Sequence, residues 1–246
     1  MPRTPILIAG MLILILIALA GCRPEPGVQK PAKTDGKQQV ADQQPADQPE
    51  EWIAFVSTVR EAKNKIVLLE IHSEQEITVA DTPQQQYTDP RFSLDGKKLR
   101  YTEYRHHEGM QTAFYWVYDI ASGEQTESME EPPKDEFQPT LSDKSMRLSP
   151  DGKWRLSSAK QPEQRYFSVH GLNTESREFK PLLKGRGAKC TPGTYSWNKD
   201  SRRYLYIRLA PDNLWQVYIG DIIDGNHKQI TSDKENKAMP RWRPTP

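Results

Sequence analysis

A six-residue phrase returns through this chain at a spacing that suits a repeat architecture. Phe92-Ser93-Leu94-Asp95-Gly96-Lys97 recurs as Leu148-Ser149-Pro150-Asp151-Gly152-Lys153 and, altered, as Trp197-Asn198-Lys199-Asp200-Ser201-Arg202. The anchor aspartates Asp95, Asp151 and Asp200 stand 56 and 49 residues apart. Each phrase runs into an apolar, β-prone stretch: Leu99–Glu103, Trp154–Ser158 and Tyr204–Arg208. A second such stretch follows (Ala113–Asp119, Arg165–His170, Trp215–Asp221), then a polar turn and a fourth short strand. Four strands in a period of this length predict one blade of a β-propeller. The phrase itself has the chemistry of a tight turn. Proline fixes φ, aspartate accepts nearby backbone N–H groups and glycine takes positive φ. Asp95, Gly96, Asp151, Gly152 and Asp200 are therefore expected to be structural turn residues, not calcium ligands or catalytic groups.

The two ends of the repeat region complete one blade between them. Pro240-Arg241-Trp242-Arg243 matches Pro90-Arg91-Phe92-Ser93, the innermost strand of a repeat, while Trp52–Ser57 matches the strand that should follow it. Joined, they give a split blade and a count of four: an all-β domain over residues 51–246, a small propeller of four four-stranded antiparallel blades. Pairing the ends removes two exposed strand edges. The alternative is a ring shared by two chains. The Ser-Pro-Asp-Gly-Lys element resembles the repeat of TolB-type propellers, found also in the propeller domains of prolyl-oligopeptidase-like enzymes. The resemblance spans essentially all of residues 51–246. Its third copy is degenerate, with Lys199 for proline and Ser201 for glycine.

The region ahead of the repeats has a different composition. Arg3 is followed by fifteen uncharged residues, Ile6 to Ala20. That is shorter than the roughly 20 residues of a bilayer-spanning helix and suits the apolar core of an export signal. The stretch ends in Leu19-Ala20-Gly21-Cys22, which resembles the lipobox of bacterial lipoproteins. The resemblance implies cleavage after residue 21, lipidation of Cys22, and attachment to a membrane on the extracytoplasmic side of a bacterial envelope. Residues 23–50 hold five prolines, six glutamines and no aromatic residue. Such a stretch cannot bury enough apolar surface to order itself, so residues 22–50 are expected to form a tether.

Composition narrows the function. Lys+Arg number 34 against 33 Asp+Glu, a balance without the basic footprint of a nucleic-acid binder. No Gly-x-Ser-x-Gly elbow, Gly-rich phosphate loop or His-Glu-x-x-His occurs in the sequence. Ser157-Ser158-Ala159-Lys160 matches S-x-x-K without its companion motifs. His106 and His107 are adjacent, so on a strand they would point to opposite faces, and a solvated loop between two strands is the expectation. Cys190 is expected to be a small core residue, and Phe114-Tyr115-Trp116-Val117-Tyr118 to be blade packing. Two inter-blade loops are unusually charged. Glu127–Asp143 carries Glu127, Glu130, Glu131, Asp135, Glu136 and Asp143 against Lys134, while Lys184, Arg186 and Lys189 lie together without an acid. Opposite charges on one rim suit a polar protein partner. The sequence thus predicts a membrane-anchored lipoprotein whose propeller binds or scaffolds an envelope protein, without enzymatic activity, cofactor or metal. The alternative from a different class is an envelope hydrolase acting on glycan or peptide.

Overall fold

A computed structural model describes residues 50–59, 63–82, 85–140, 143, 147–160, 167–183 and 194–245. The chain divides into two units, Met1–Ala46 and Asp47–Pro246, and the first lies wholly outside the described residues. Cys22, Lys184, Arg186, Lys189 and Cys190 also lie outside them.

The second unit is a succession of antiparallel sheets. The first blade contains β1 (Trp52–Val59), β2 (Lys63–Glu70) and β3 (Glu76–Ala80). The second contains β4 (Gln86–Phe92), β5 (Lys98–His107), β6 (Met110–Asp119) and β7 (Gln125–Ser128). The third contains β8 (Trp154–Lys160), β9 (Phe167–Asn173) and β10 (Phe179–Pro181). The fourth contains β11 (Ser196–Trp197), β12 (Arg203–Leu209), β13 (Trp215–Asp221) and β14 (His227–Gln229). β15 (Asn236–Trp242) then returns to the first blade, giving the order β15-β1-β2-β3. Ile53 stands opposite Trp242 and Ala54 opposite Arg241, the split blade expected from the sequence. The protein is a small four-bladed β-propeller, with three four-stranded sheets and one of three strands among the described residues. In the third blade, among the described residues, the bridge of Leu148 to Arg155 occupies the place of the innermost strand.

Period-two alternation sends one side of each strand into an apolar seam between blades. The first and second blades share Ala54, Val56, Leu68, Phe92, Leu99 and Tyr101. The other face of β1 and β2 joins the fourth blade through Ile53, Phe55, Val67, Leu205, Val217 and Trp242. Leu156, Val169, Leu182, Tyr195 and Tyr204 join the third blade to the fourth. Among the described residues, no comparable cluster joins the second blade to the third.

The histidines expected in a loop are in strand. β5 continues to His107, and the turn to β6 is made by Glu108 and Gly109. The reason lies in the uninterrupted β5–β6 ladder, which pairs His106 with Gln111 and His107 with Met110.

Candidate functional site

The repeated turns are built as hydrogen-bonded units. Asp95 Oδ1 accepts from the Ser93 hydroxyl at 2.6 Å and from the Lys97 N–H at 3.1 Å. Asp151 does the same with Ser149 at 2.6 Å and Lys153 at 3.1 Å. The hydrogen bond from Ser93 leads the forces that hold the Asp95 carboxyl below its ordinary pKa. Asp151 is also lowered: burial opposes ionisation, and the hydrogen bonds from Ser149 and Lys153 outweigh it. Gly96 and Gly152 have φ of 69° and 74°, the left-handed region that glycine enters freely. In the degenerate copy Ser201 takes that place at φ 57°, and Asp200 accepts the N–H groups of Arg202 and Arg203.

The acidic stretch Glu127–Asp143 is fastened to the second blade, and Glu127, expected in an inter-blade loop, is in strand β7, paired with Trp116 in the β6–β7 ladder. Phe137 is buried and bridges to Ser93. Leu94 donates its N–H to the Glu136 carbonyl at 3.0 Å, and Gln138 donates to Phe92 O at 2.9 Å. Gln138 Nε2 reaches the Trp242 carbonyl at 2.8 Å, tying the stretch to β15 as well. A short 3₁₀ turn, Lys134–Glu136, occupies the middle.

The six acids of this stretch separate into two kinds. Glu127 accepts from Arg105 at 2.6 Å, and the buried Glu103 takes the same guanidinium at 2.9 Å. Those two carboxylates raise the pKa of Arg105. Glu131 accepts from Arg100 Nη2 at 2.8 Å and lies 3.7 Å from Arg91, and the Arg100 hydrogen bond leads the forces lowering its pKa. All of these acids are exposed, but Glu130, Asp135 and Glu136, unlike Glu127 and Glu131, form no ion pair among the described residues. Asp143 is exposed too, and takes part in an interaction of its own.

The aromatic run of β6 is divided by the pleat. Trp116 stacks on Tyr101 with ring centroids 6.3 Å apart, and its Nε1 donates to Glu103 at 2.6 Å. Tyr115 lies on the other side, under the Arg100 guanidinium at 5.0 Å. A cleft of about 390 Å³ opens beside Tyr87, Tyr101, Glu103, Arg105 and Trp116. Its polar groups bond to one another: Tyr101 Oη to Gln125, Tyr87 Oη to Gln85, and Arg105 to Glu103 and Glu127. His170 and His227 are held by burial below the ordinary imidazole pKa, and His106 and His107 are exposed. Among the described residues no group of three or more His, Cys, Asp or Glu is arranged to hold a metal ion.

Neither a protein-family model nor a curated protein matches the chain. Its fold is similar to solved propellers at low sequence identity. TolB from Acinetobacter baumannii is 13% identical, with 78% of this chain and 66% of that chain covered and a TM-score of 0.40. A putative TolB from Agrobacterium tumefaciens is 14% identical, with 78% and 74% covered and a TM-score of 0.34. The β-propeller domain of the Trilobed protease from Pyrococcus furiosus is 16% identical over 62% of this chain and 42% of that one, with a TM-score of 0.29. The chain thus spans just under two thirds of the first of these proteins.

Proposed function

We propose that this protein is an extracytoplasmic lipoprotein, anchored through Cys22 and carried on the 22–50 tether, whose propeller is a non-enzymatic docking module for a protein of the bacterial envelope. The observation that carries the docking role is the fixed acidic segment on the second blade. Phe137 and the backbone bonds from Leu94 and Gln138 hold its path, while Glu130, Asp135 and Glu136 keep their carboxylates in solvent. Acids on a fixed backbone can orient a basic partner without first paying the ordering entropy of a loose loop. Exposed ion pairs add only about 0–1 kcal/mol each, so their effect falls mainly on the encounter rate. Lys184, Arg186 and Lys189 are proposed as the complementary basic element.

Two experiments test this function. In a bacterial host fed labelled fatty acid, wild type should incorporate label and Cys22→Ala should not. An unlabelled, full-length wild type overturns the anchor. For docking, envelope proteins are captured on wild type and on a Glu130→Gln/Asp135→Asn/Glu136→Gln variant. Association with the variant should be slower and less sensitive to salt, with the melting temperature unchanged within about 1 °C. Equal capture rates at all salt concentrations overturn the acidic docking face. Sedimentation of the detergent-solubilised chain separates a four-bladed monomer from a ring shared by two chains.

A further inference from the structure

Three arginines at the inner edge of the first two blades are more than nine-tenths buried: Arg91 at 5%, Arg100 at 1% and Arg241 at 0% exposure. Arg91 links the other two, standing opposite Arg100 in the β4–β5 ladder and sharing Asp89 with Arg241. Arg241 Nε donates to the Pro90 carbonyl at 3.2 Å. Two carboxylates face them. Asp89 accepts from Arg91 Nε at 2.8 Å, while Glu131 accepts from Arg100 and approaches Arg91. Arg241 Nη2 is 3.6 Å from Asp89, too long for a hydrogen bond. Three guanidinium groups against two carboxylates leave one positive charge in excess.

The donors are in excess as well. Nε and Nη1 of Arg100, and Nη1 and Nη2 of Arg241, have no hydrogen-bond partner among the described residues. Unmade bonds on buried charged groups are among the larger penalties a fold can carry. The backbone nevertheless builds this arrangement twice. Arg91 and Arg241 hold the same position in the repeat, each follows a proline, and each proline follows a residue at positive φ: Asp89 at 54° and Met239 at 52°. The ladders of β4 and β15 shift register there. A non-glycine residue in the left-handed region is uncommon and strained. Burial pushes the Arg241 pKa down to about 10, so the group remains charged at neutral pH.

We propose that the Arg91–Arg100–Arg241 cluster binds one small anion, a halide or a carboxylate, with the unpartnered N–H groups of Arg100 and Arg241 as donors. The anion neutralises the surplus charge and satisfies the donors together. It is a site distinct from the exposed acids of the docking segment, and it does not depend on their role.

The full chain, solubilised in a non-ionic maltoside, tests this at fixed ionic strength with gluconate as an anion too large for a buried site. Replacing gluconate with bromide or with acetate distinguishes halide from carboxylate. The preferred anion should raise the melting temperature by roughly 3–6 °C per tenfold concentration once its site fills. Bromide should also show excess ⁸¹Br line broadening that Arg100→Gln and Arg241→Gln abolish. Should Arg241→Gln fail to fold, Arg100→Gln and wild type still decide. Melting temperatures that do not distinguish the three anions overturn the site, as does bromide broadening that is equal in wild type and Arg100→Gln.

Discussion

The two faces of the second blade are built from the same strands and solve opposite problems. Toward the first blade, β5 presents Leu99 and Tyr101 to a seam with Phe92, Ala54, Val56 and Leu68. Toward its other side, the residue between them, Arg100, lies under Glu131 and over Tyr115, in register with Arg91. One face is held by loss of apolar surface from water, the other by charge pairing that stays incomplete. A propeller blade therefore need not be apolar on both sides to be buried on both. The difference also separates stability from recognition: the apolar seam can hold the blade while the charged one remains available for a ligand.

Mutations should weigh the two faces differently, and the largest effect should come from the strand that seals the first blade. Trp242 is 3% exposed in the seam between the first and fourth blades, so Trp242→Ala should destabilise by about 3–5 kcal/mol. Chemical denaturation measures this, and a loss below about 1 kcal/mol would show that β15 is not essential to the core. Next comes the direct comparison on β5. Leu99→Ala should cost about 2–5 kcal/mol, whereas Arg100→Met with Glu131→Gln should change stability by no more than about 1 kcal/mol. Equal losses from both changes would remove the distinction between the faces.

The smallest effect should appear at the seam between the third and fourth blades. His227 Nε2 is 2.8 Å from the Leu182 carbonyl and must carry the proton there, leaving Nδ1 to accept from Tyr206 Oη at 2.9 Å. Burial favours this neutral form and lowers the folded-state pKa below the unfolded 6.5. The stabilisation is therefore complete above pH 6.5 and is lost as pH falls through that value toward the folded pKa. His170 is lowered in the same direction. Melting temperature should thus decline between pH 7.5 and 5.5, and His227→Gln should flatten that slope. An unchanged slope would assign the pH dependence elsewhere.

The sequence makes some of this legible. Turns such as Ser149–Lys153 depend on contacts two to five residues apart, so their chemistry is written locally. The split blade is visible because Pro240-Arg241-Trp242 repeats Pro90-Arg91-Phe92. Alternation along β5 and β6 indicates which residues share a face. It does not indicate which group from a distant loop will meet them. Glu131 belongs to an acidic run in the sequence, yet it crosses 31 positions to reach Arg100. The bulges before Arg91 and Arg241 are hidden for a related reason. A methionine before a proline carries no local sign of a positive φ, which the surrounding sheet imposes.

Pairing the first strand with the last also dictates an order of events. Ser57 accepts from Lys237 across a separation of 180 residues, so a growing chain cannot complete the sheet that meets two apolar seams until β15 has emerged. Until then β1 offers an open edge, and the seam residues Ile53 and Phe55 lack Trp242. Completion of the first blade is consequently gated by synthesis of β15. Contacts this remote in sequence slow folding, leaving an interval in which a chaperone that covers β-strand edges has its substrate.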